Sequence, residues 1–184
     1  DLCEHVVANC DAKVIVVEDE QQLQRYKNVK STALKCFVVW NRTKEIIQSD
    51  YAAPVYSWDE FIKKGEDVPE EKVEKRIKKQ TPDQACSIIY TSGTTGKPKG
   101  AVLTHDNLTW TAAVAGRCFG MHDKHQGVSY LPLSHVAAQQ LDCMVPITCG
   151  STVDIAPNDA LKGNNLKQYI VATRPTYFLA VPRV

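Results

Sequence analysis

Short apolar runs alternate along the chain with stretches that mix polar and apolar residues. The run Val14–Val17 is followed by a polar stretch in which Leu23 and Tyr26 lie three residues apart. This pattern is typical of a buried strand that leads into a helix. A second apolar run, Leu34–Trp40, repeats the strand signal. The first forty residues therefore contain the beginning of a strand–helix–strand arrangement.

The segment SWDEFIKKG, residues 57–65, predicts a short helix with defined ends. Ser57 suits the N-cap, Glu60 is its capping-box partner three residues later, and Gly65 is expected at the C-cap. Residues 66–80 are rich in both charges, and Pro69 suits the start of another helix. Their basic side chains could bind anionic lipid or nucleic acid. The interleaved glutamates favour a solvated connecting helix instead.

The second half of the chain continues the alternation of strands and helices. Predicted strands cover residues 85–90, 101–103, 127–131, 151–156 and 176–181, and predicted helices cover residues 104–120, 134–150 and 164–174. The second of these helices carries Pro146, where a bend is expected. Together these elements predict one α/β domain whose mostly parallel sheet is flanked by helices.

Large apolar side chains in this half admit two interpretations. The trio Trp110, Phe119 and Tyr130 is expected in the core rather than around a ligand. The apolar helix Val136–Ile147 could belong to the core or line a lipid pocket. The pattern leaves these two alternatives open.

Composition narrows the class of protein. The chain has 184 residues, 43% of them hydrophobic and 23% charged, with a formal net charge of +1. These values are typical of a globular protein and give no reason to expect a nucleic-acid partner. No window of eighteen consecutive apolar residues occurs, so no transmembrane segment is predicted. The seven cysteines form no C-x-x-C pair, which argues against zinc and favours reduced thiols in the cytoplasm.

Residues 90–100, YTSGTTGKPKG, form the most informative stretch of the sequence. They follow an apolar run and combine three glycines, two lysines and several hydroxyls. Glycine lets the backbone turn sharply and bring N–H groups close to a ligand, and successive N–H groups form an anion-binding concavity. Hydroxyl donors and mobile ammonium groups complete a set that suits a triphosphate.

Two simpler interpretations of this loop compete with a specialised triphosphate site. A Walker-type P-loop requires G-x-x-x-x-G-K-(S/T), but Gly93 and Gly96 are only three residues apart, and Lys97 is followed by Pro98. That interpretation is rejected. A plain Gly/Thr hairpin remains open, although it gives no reason for two lysines and the hydroxyls on one tight turn.

Residues 91–100 match, position by position, the signature (S/T)-S-G-(S/T)-T-G-x-P-K-G of the adenylate-forming enzymes. This superfamily includes acyl-CoA synthetases, luciferases and peptide-synthetase adenylation domains. The stretch SYLPLSHVAAQ, residues 129–139, resembles a second signature of long-chain acyl-CoA synthetases, with its Pro-Leu-x-His core. Together with PNDALKG and the final RPTYFLAVPRV, it most resembles the bubblegum-type long-chain fatty-acid–CoA ligases.

The resemblance implies roles for individual residues. It assigns catalytic roles to Lys99 and Thr94, with Lys99 as the phosphate-binding lysine, and it places His135 beside the acyl and adenylate pocket. The resemblance also implies an ATP-contacting segment made of Thr91, Ser92, Gly93, Thr94, Thr95, Gly96, Lys97, Pro98 and Lys99. His135 could instead merely cap the helix that begins near Val136.

The resemblance also implies the ligands and the extent of the domain. The ligands would be ATP, Mg²⁺ bound by a residue outside this chain, a long-chain fatty acid, and CoA as co-substrate. The protein would be cytoplasmic, and the resemblance also allows peripheral association with a membrane. Residues 1–184 would be an internal part of the large N-terminal AMP-binding domain, without the C-terminal lid. Two hypotheses follow: a segment of a fatty-acid–CoA ligase that is inactive alone, or a truncated, non-catalytic fragment that binds phosphate or a partner.

Overall fold

The computed structural model describes residues 2–91 and 96–180. These residues form two compact units. The first comprises the described residues of 1–80 and 90–101, and the second comprises those of 81–89 and 102–184. Each unit contains a parallel sheet flanked by helices, so the predicted α/β class is confirmed.

The first unit is built on a three-stranded sheet in the order β1-β2-β3. Its elements before the loop are α1 (Leu2–Cys10), β1 (Val14–Val17), α2 (Glu20–Gln24), β2 (Cys36–Val39), a 3-10 turn (Gln48–Asp50), β3 (Val55–Ser57), α3 (Trp58–Lys63) and α4 (Glu70–Lys78). The strands are parallel, and all four residues of the middle strand β2 are buried. Burial on both faces explains why β2 is a continuous apolar run.

The core of this unit centres on Phe37, which is fully buried. Its ring lies 6.2 Å from that of Tyr26 and 5.6 Å from that of Tyr51. The buried cluster around it contains Val7, Ile15, Val17, Leu23, Val29, Leu34, Phe37, Val39, Ala53 and Val55. Residues from α1 through β3 thus share one core.

Local sequence signals in the first unit are largely confirmed. The backbone N–H of Glu60 donates to Ser57 Oγ (3.2 Å) while the Ser57 N–H donates to Glu60 Oε2 (2.7 Å), which completes the capping box. The expected C-cap is off by one residue, because the helix ends at Lys63 and Lys64 is the C-cap.

The sequence patterns do not predict strand β3. The Gln48 side chain stabilises its first residue, since both its amide atoms bond the Val55 backbone at 2.9 Å.

The second unit has a smaller sheet in which β6 and β7 run parallel. The elements that follow α4 are β4 (Ala85–Thr91), β5 (Lys99–Thr104), α5 (His105–Cys118), β6 (Gln126–Ser129), α6 (Val136–Ala138), a π-helical segment (Gln139–Met144), α7 (Val145–Cys149), β7 (Thr152–Ile155) and α8 (Asn165–Thr173). Strands β4 and β5 pair with each other and contribute residues to both units. The buried cluster of this unit is Val128, Ala156, Ala160 and Leu166.

The predicted helix over residues 134–150 is divided into α6, the π-helical segment and α7. Pro146 lies in the first turn of α7, directly after the π-helical segment. Proline has no N–H to donate to the preceding turn, so it is best tolerated where the helical hydrogen-bond pattern restarts. The helix therefore changes type directly before Val145 and Pro146, in the region for which the sequence predicts a bend.

Two expectations for the second unit are wrong. Residues 176–180 form no strand: the N–H groups of Thr176 and Tyr177 both donate to the same carbonyl, that of Gln126, so no ladder develops. Trp110 is 64% exposed and Phe119 66% exposed, so neither belongs to the core. The small residues of α5 form its packed face, and Trp110 lies about 200° around the helix from the fully buried Ala112.

Candidate functional site

The β4–β5 pair fixes the ends of the glycine-rich loop. Strand β4 ends at Thr91, and β5 begins at Lys99. Four of the predicted ATP-contacting residues, Ser92, Gly93, Thr94 and Thr95, lie outside the described residues. The site can therefore be built from Thr91 on one side and from residues 96–99 on the other.

Residues 96–99 bring the loop into β5. Gly96 has φ +134°, a conformation that residues with a side chain rarely adopt, while a Cβ at this position would meet none of the described residues within 4 Å. Glycine is thus required by the backbone conformation and not by crowding. Lys97 and Lys99 are both exposed, and the intervening Pro98 is half-buried. The segment presents two cations beside a backbone of restricted shape.

Helix α1 contacts both ends of this loop. The Tyr90 hydroxyl, one residue before the end of β4, donates to Asn9 Oδ1 at 2.6 Å and approaches the Val6 carbonyl at 3.4 Å. On the other side, His5 Nε2 lies 2.9 Å from the Pro98 carbonyl oxygen. Burial raises the pKa of the Tyr90 phenol, and the nearby Cys10 thiol raises it further. Tyr90 therefore keeps its proton and acts as a donor at neutral pH.

These residues are suited to binding an anion. An exposed lysine ammonium carries three donors on a flexible stem and acts as a point charge for phosphate. Lys99 has its backbone fixed in a strand, whereas Lys97 precedes the strand. The described part of the loop thus fits the phosphates of a nucleotide, with Lys99 on the more rigid support.

The structure places His135 at a helix start in the second unit. Its Nδ1 accepts a hydrogen bond from the Ala137 N–H at 3.2 Å, so the imidazole is the N-cap of α6. The loop before it begins at the carboxyl end of β6 and borders a cavity of about 370 Å³, which extends to Ile155 at the end of β7. Ligands of open α/β sheets bind beyond the carboxyl ends of parallel strands. Leu133, which lines this cavity, lies two residues before His135 in the sequence.

Asp142, in the π-helical segment, interacts with two polar residues, Ser129 and Tyr177. The sequence analysis does not identify this set of residues. Burial raises the pKa of the Asp142 carboxyl, and a hydrogen bond with the Ser129 side chain opposes that rise. Burial also raises the pKa of Tyr177, to which the Asp142 charge contributes. Asp142 is the only formally charged residue between Val136 and Cys149. That isolated charge in an apolar stretch was the available signal.

Residues 2–91 and 96–180 contain no group of three or more His, Cys, Asp or Glu side chains that could hold a metal ion. Within those ranges, no helix is long and apolar enough to cross a membrane.

Curated relatives match nearly the whole chain. The long-chain-fatty-acid–CoA ligase ACSBG2 of Gallus gallus is 44% identical over 191 residues, covering 99% of this chain and 24% of that protein. ACSBG2 of Homo sapiens is 40% identical, covering 100% of this chain and 27% of that protein. Human ACSBG1, also a long-chain-fatty-acid–CoA ligase, is 38% identical, covering 99% and 25%. The chain thus spans about a quarter of the length of these relatives.

Solved structures share the fold. The anthranilate CoA ligase AuaEII, in complex with anthranoyl-AMP, superposes with a TM-score of 0.73 at 22% identity, covering 96% of this chain and 32% of that one. ATP-bound MatB from Rhodopseudomonas palustris gives a TM-score of 0.63 at 17% identity, covering 98% and 32%. The family model described as AMP-binding enzyme matches residues 1–184. With the signature loop between β4 and β5 and a family match along its whole length, the chain belongs to the AMP-binding enzyme family.

Proposed function

We propose that this chain is part of the N-terminal AMP-binding domain of a long-chain fatty-acid–CoA ligase. The identity of 38–44% to relatives named as such ligases carries the proposal. The loop between β4 and β5 supports it, because Lys97 and Lys99 are exposed cations and a nucleoside triphosphate is a polyanion. Residues beyond this chain would supply the lid and the Mg²⁺ ligand.

The reaction would proceed in two steps. A carboxylate oxygen of the fatty acid attacks the α-phosphorus of ATP, the bond to the bridging oxygen breaks, and pyrophosphate leaves. The thiol of CoA then attacks the acyl carbonyl, a proton is released, and AMP departs as the thioester forms. Both partners in the first step are anions, so fixed donors and cations must reduce their repulsion and stabilise charge on the leaving pyrophosphate.

Within this scheme Lys99 is the main phosphate-binding cation, and Thr94 is the second catalytic residue, proposed to offer a hydroxyl donor to the phosphates. Thr91, Ser92, Gly93, Thr95, Gly96, Lys97 and Pro98 complete the ATP-contacting segment. Gly96 and Lys99 support this assignment through the loop conformation and the strand position already described. In the second unit, His135 and the cavity beyond β6 are proposed for the acyl side, because ligands bind at that end of a parallel sheet.

The decisive experiment is fatty-acid-dependent ATP–pyrophosphate exchange by the full-length protein. Lys99→Ala is expected to lower kcat about 10²- to 10³-fold, a magnitude typical of losing one transition-state donor, with a smaller change in the KM for ATP. In the same assay His135→Ala is expected to raise the KM for the fatty acid and leave that for ATP unchanged. Lys124→Ala, which removes an exposed lysine from a turn in the second unit, is the matched control.

The outcomes separate the hypotheses. Exchange by Lys99→Ala at nearly the wild-type rate would contradict the role of that lysine. An unchanged fatty-acid KM in His135→Ala would leave His135 as a helix cap alone. If the wild-type protein binds ATP but shows no exchange with any fatty acid, the alternative of a non-catalytic phosphate-binding protein gains support.

A further inference from the structure

We propose that α1 braces the phosphate-binding loop: Asn9 holds Tyr90 at one end of the loop, His5 holds Pro98 at the other, and together they set the position of the loop's phosphate donors. His5, Asn9 and Tyr90 are thus positioning residues that act through the loop. The inference rests on the proposed function, because it presupposes that the loop binds ATP.

The two contacts join α1 to segments far away in the sequence. The Tyr90–Asn9 hydrogen bond spans 81 residues, and the His5–Pro98 contact spans 93. Of their loop-side partners, Tyr90 directly precedes the family signature at residues 91–100, and Pro98 lies near the end of that signature. A helix that holds both ends of a loop limits the distance and orientation between them. The pairing of β4 with β5 already joins the two ends, and the contacts from α1 add a support at each of them.

The two faces of α1 explain how it can do this. His5 and Asn9 are one helical turn apart and therefore lie on the same face. Val7, which is 3% exposed, and Cys3 are also one turn apart, and they pack into the core of the first unit. Two residues along a helix correspond to about 200° of rotation, so these faces are roughly opposite. The helix is anchored on its core face while its other face contacts the loop ends.

Pro98 is a suitable residue for such a contact. Proline has a fixed φ and no N–H, so its carbonyl is its only backbone hydrogen-bonding group. His5 Nε2 is placed to donate to that carbonyl at 2.9 Å. Lys99, the proposed phosphate-binding residue, follows immediately. Holding the Pro98 carbonyl therefore holds the peptide that leads directly into Lys99.

The test compares full-length variants in two assays. The first is ATP–pyrophosphate exchange, with separate KM values for ATP and fatty acid. The second is amide hydrogen exchange, followed by mass spectrometry, of peptides that span residues 90–100 in the absence of nucleotide. Tyr90→Phe is expected to raise the KM for ATP about two- to tenfold, which is the range for one hydrogen bond, and to leave the fatty-acid KM unchanged. Amide exchange of the loop peptides should rise with it.

Three further variants separate loss of the α1 contacts from general loss of stability. Tyr169→Phe removes a comparable hydrogen bond, from the Tyr169 hydroxyl to the Ile155 carbonyl (3.0 Å), and should leave both the ATP KM and the loop peptides unchanged. His5→Ala should behave like Tyr90→Phe. His5→Gln should restore most of the ATP KM, because its amide can still donate to the Pro98 carbonyl.

The outcomes decide the inference separately from the proposed function. Unchanged ATP KM values in Tyr90→Phe and His5→Ala overturn it, even if loop amide exchange rises, because the contacts would then be structural only. If the wild type binds ATP without exchanging pyrophosphate, the proposed ligase activity fails, and the equilibrium Kd for ATP replaces KM in the same comparison. A wild-type protein that does not bind ATP overturns both.

Discussion

In the first unit the middle strand Cys36–Val39 is buried along its whole length, whereas in the second unit Ile155 at the end of β7 is 80% exposed and Ile147 on α7 is 78% exposed. Both regions are apolar in sequence. The two regions differ in the elements that cover them, because β2 has a strand on each side. Among the described residues, its unit shares a core of ten buried residues, whereas the corresponding cluster of the second unit has four.

This comparison shows that an apolar segment is buried only where other elements cover it. Residues from α1, α2 and the 3-10 region all contribute side chains around the first sheet. In the second unit, α5 and α7 pack through small residues, and the larger side chain of Trp110 points away from the buried Ala112. Stability should therefore respond to mutation very differently in the two units.

The largest expected effect is at Phe37. Phe37→Ala should lower the free energy of unfolding by about 3–5 kcal/mol, because it removes a fully buried ring and leaves a cavity between two tyrosines. The same deletion in the second unit, Phe119→Ala, should cost less than about 0.5 kcal/mol, since that ring is 66% exposed. Urea denaturation of both variants measures the contrast. Similar losses would mean that burial in the two units does not differ as described.

An intermediate effect is expected where the second unit is tightly packed. A Cβ on Gly127 would overlap the ring of Tyr177, so Gly127→Ala should destabilise by about 1–3 kcal/mol. Gly65→Ala in the first unit is the control, because its nearest neighbour would be the Ile62 carbonyl oxygen at 3.4 Å, an ordinary contact. Thermal unfolding of the two variants tests this. Equal melting temperatures would show that Tyr177 moves aside freely.

The smallest effect concerns pH, with opposite signs in the two units. Burial raises the pKa of Asp142 in the folded state above the ordinary value of 3.8. The protonated carboxyl therefore stabilises the fold below pH 3.8, and this contribution is lost as the pH rises through the raised pKa. The folded pKa of Glu60 is lowered chiefly by the Ser57 N–H, so its contribution is present above 4.5 and lost as pH falls through the lowered value.

Variants that cannot titrate reveal these opposite slopes. Relative to wild type, Asp142→Asn should gain melting temperature as pH rises through its window. Glu60→Gln should be less stable than wild type at neutral pH and approach it at low pH. Melting temperatures measured from pH 3 to 7 are the readout. Parallel curves for wild type and both variants would contradict the two pKa shifts.

Local patterns predicted much of the fold. The β1 run, the Ser57–Glu60 capping box and the strands on either side of the loop all follow from residues close together in sequence. Strand β3 escaped prediction, because three residues carry little periodicity and its pairing with Phe37–Val39 is not local. The strand predicted near 176–180 is wrong for the converse reason: its apolar sequence is suitable, but the N–H groups of Thr176 and Tyr177 both donate to the Gln126 carbonyl.

The sequence by itself determined the family signature, the alternation of strands and helices, and the identity of the cations at Lys97 and Lys99. Only the tertiary structure decided that Trp110 is exposed, and that His5 and Asn9 reach opposite ends of the loop. Caps and periodic patterns arise from interactions within a few residues, so the sequence displays them directly. Contacts across 81 or 93 residues depend on how whole elements pack, and no local pattern records that packing.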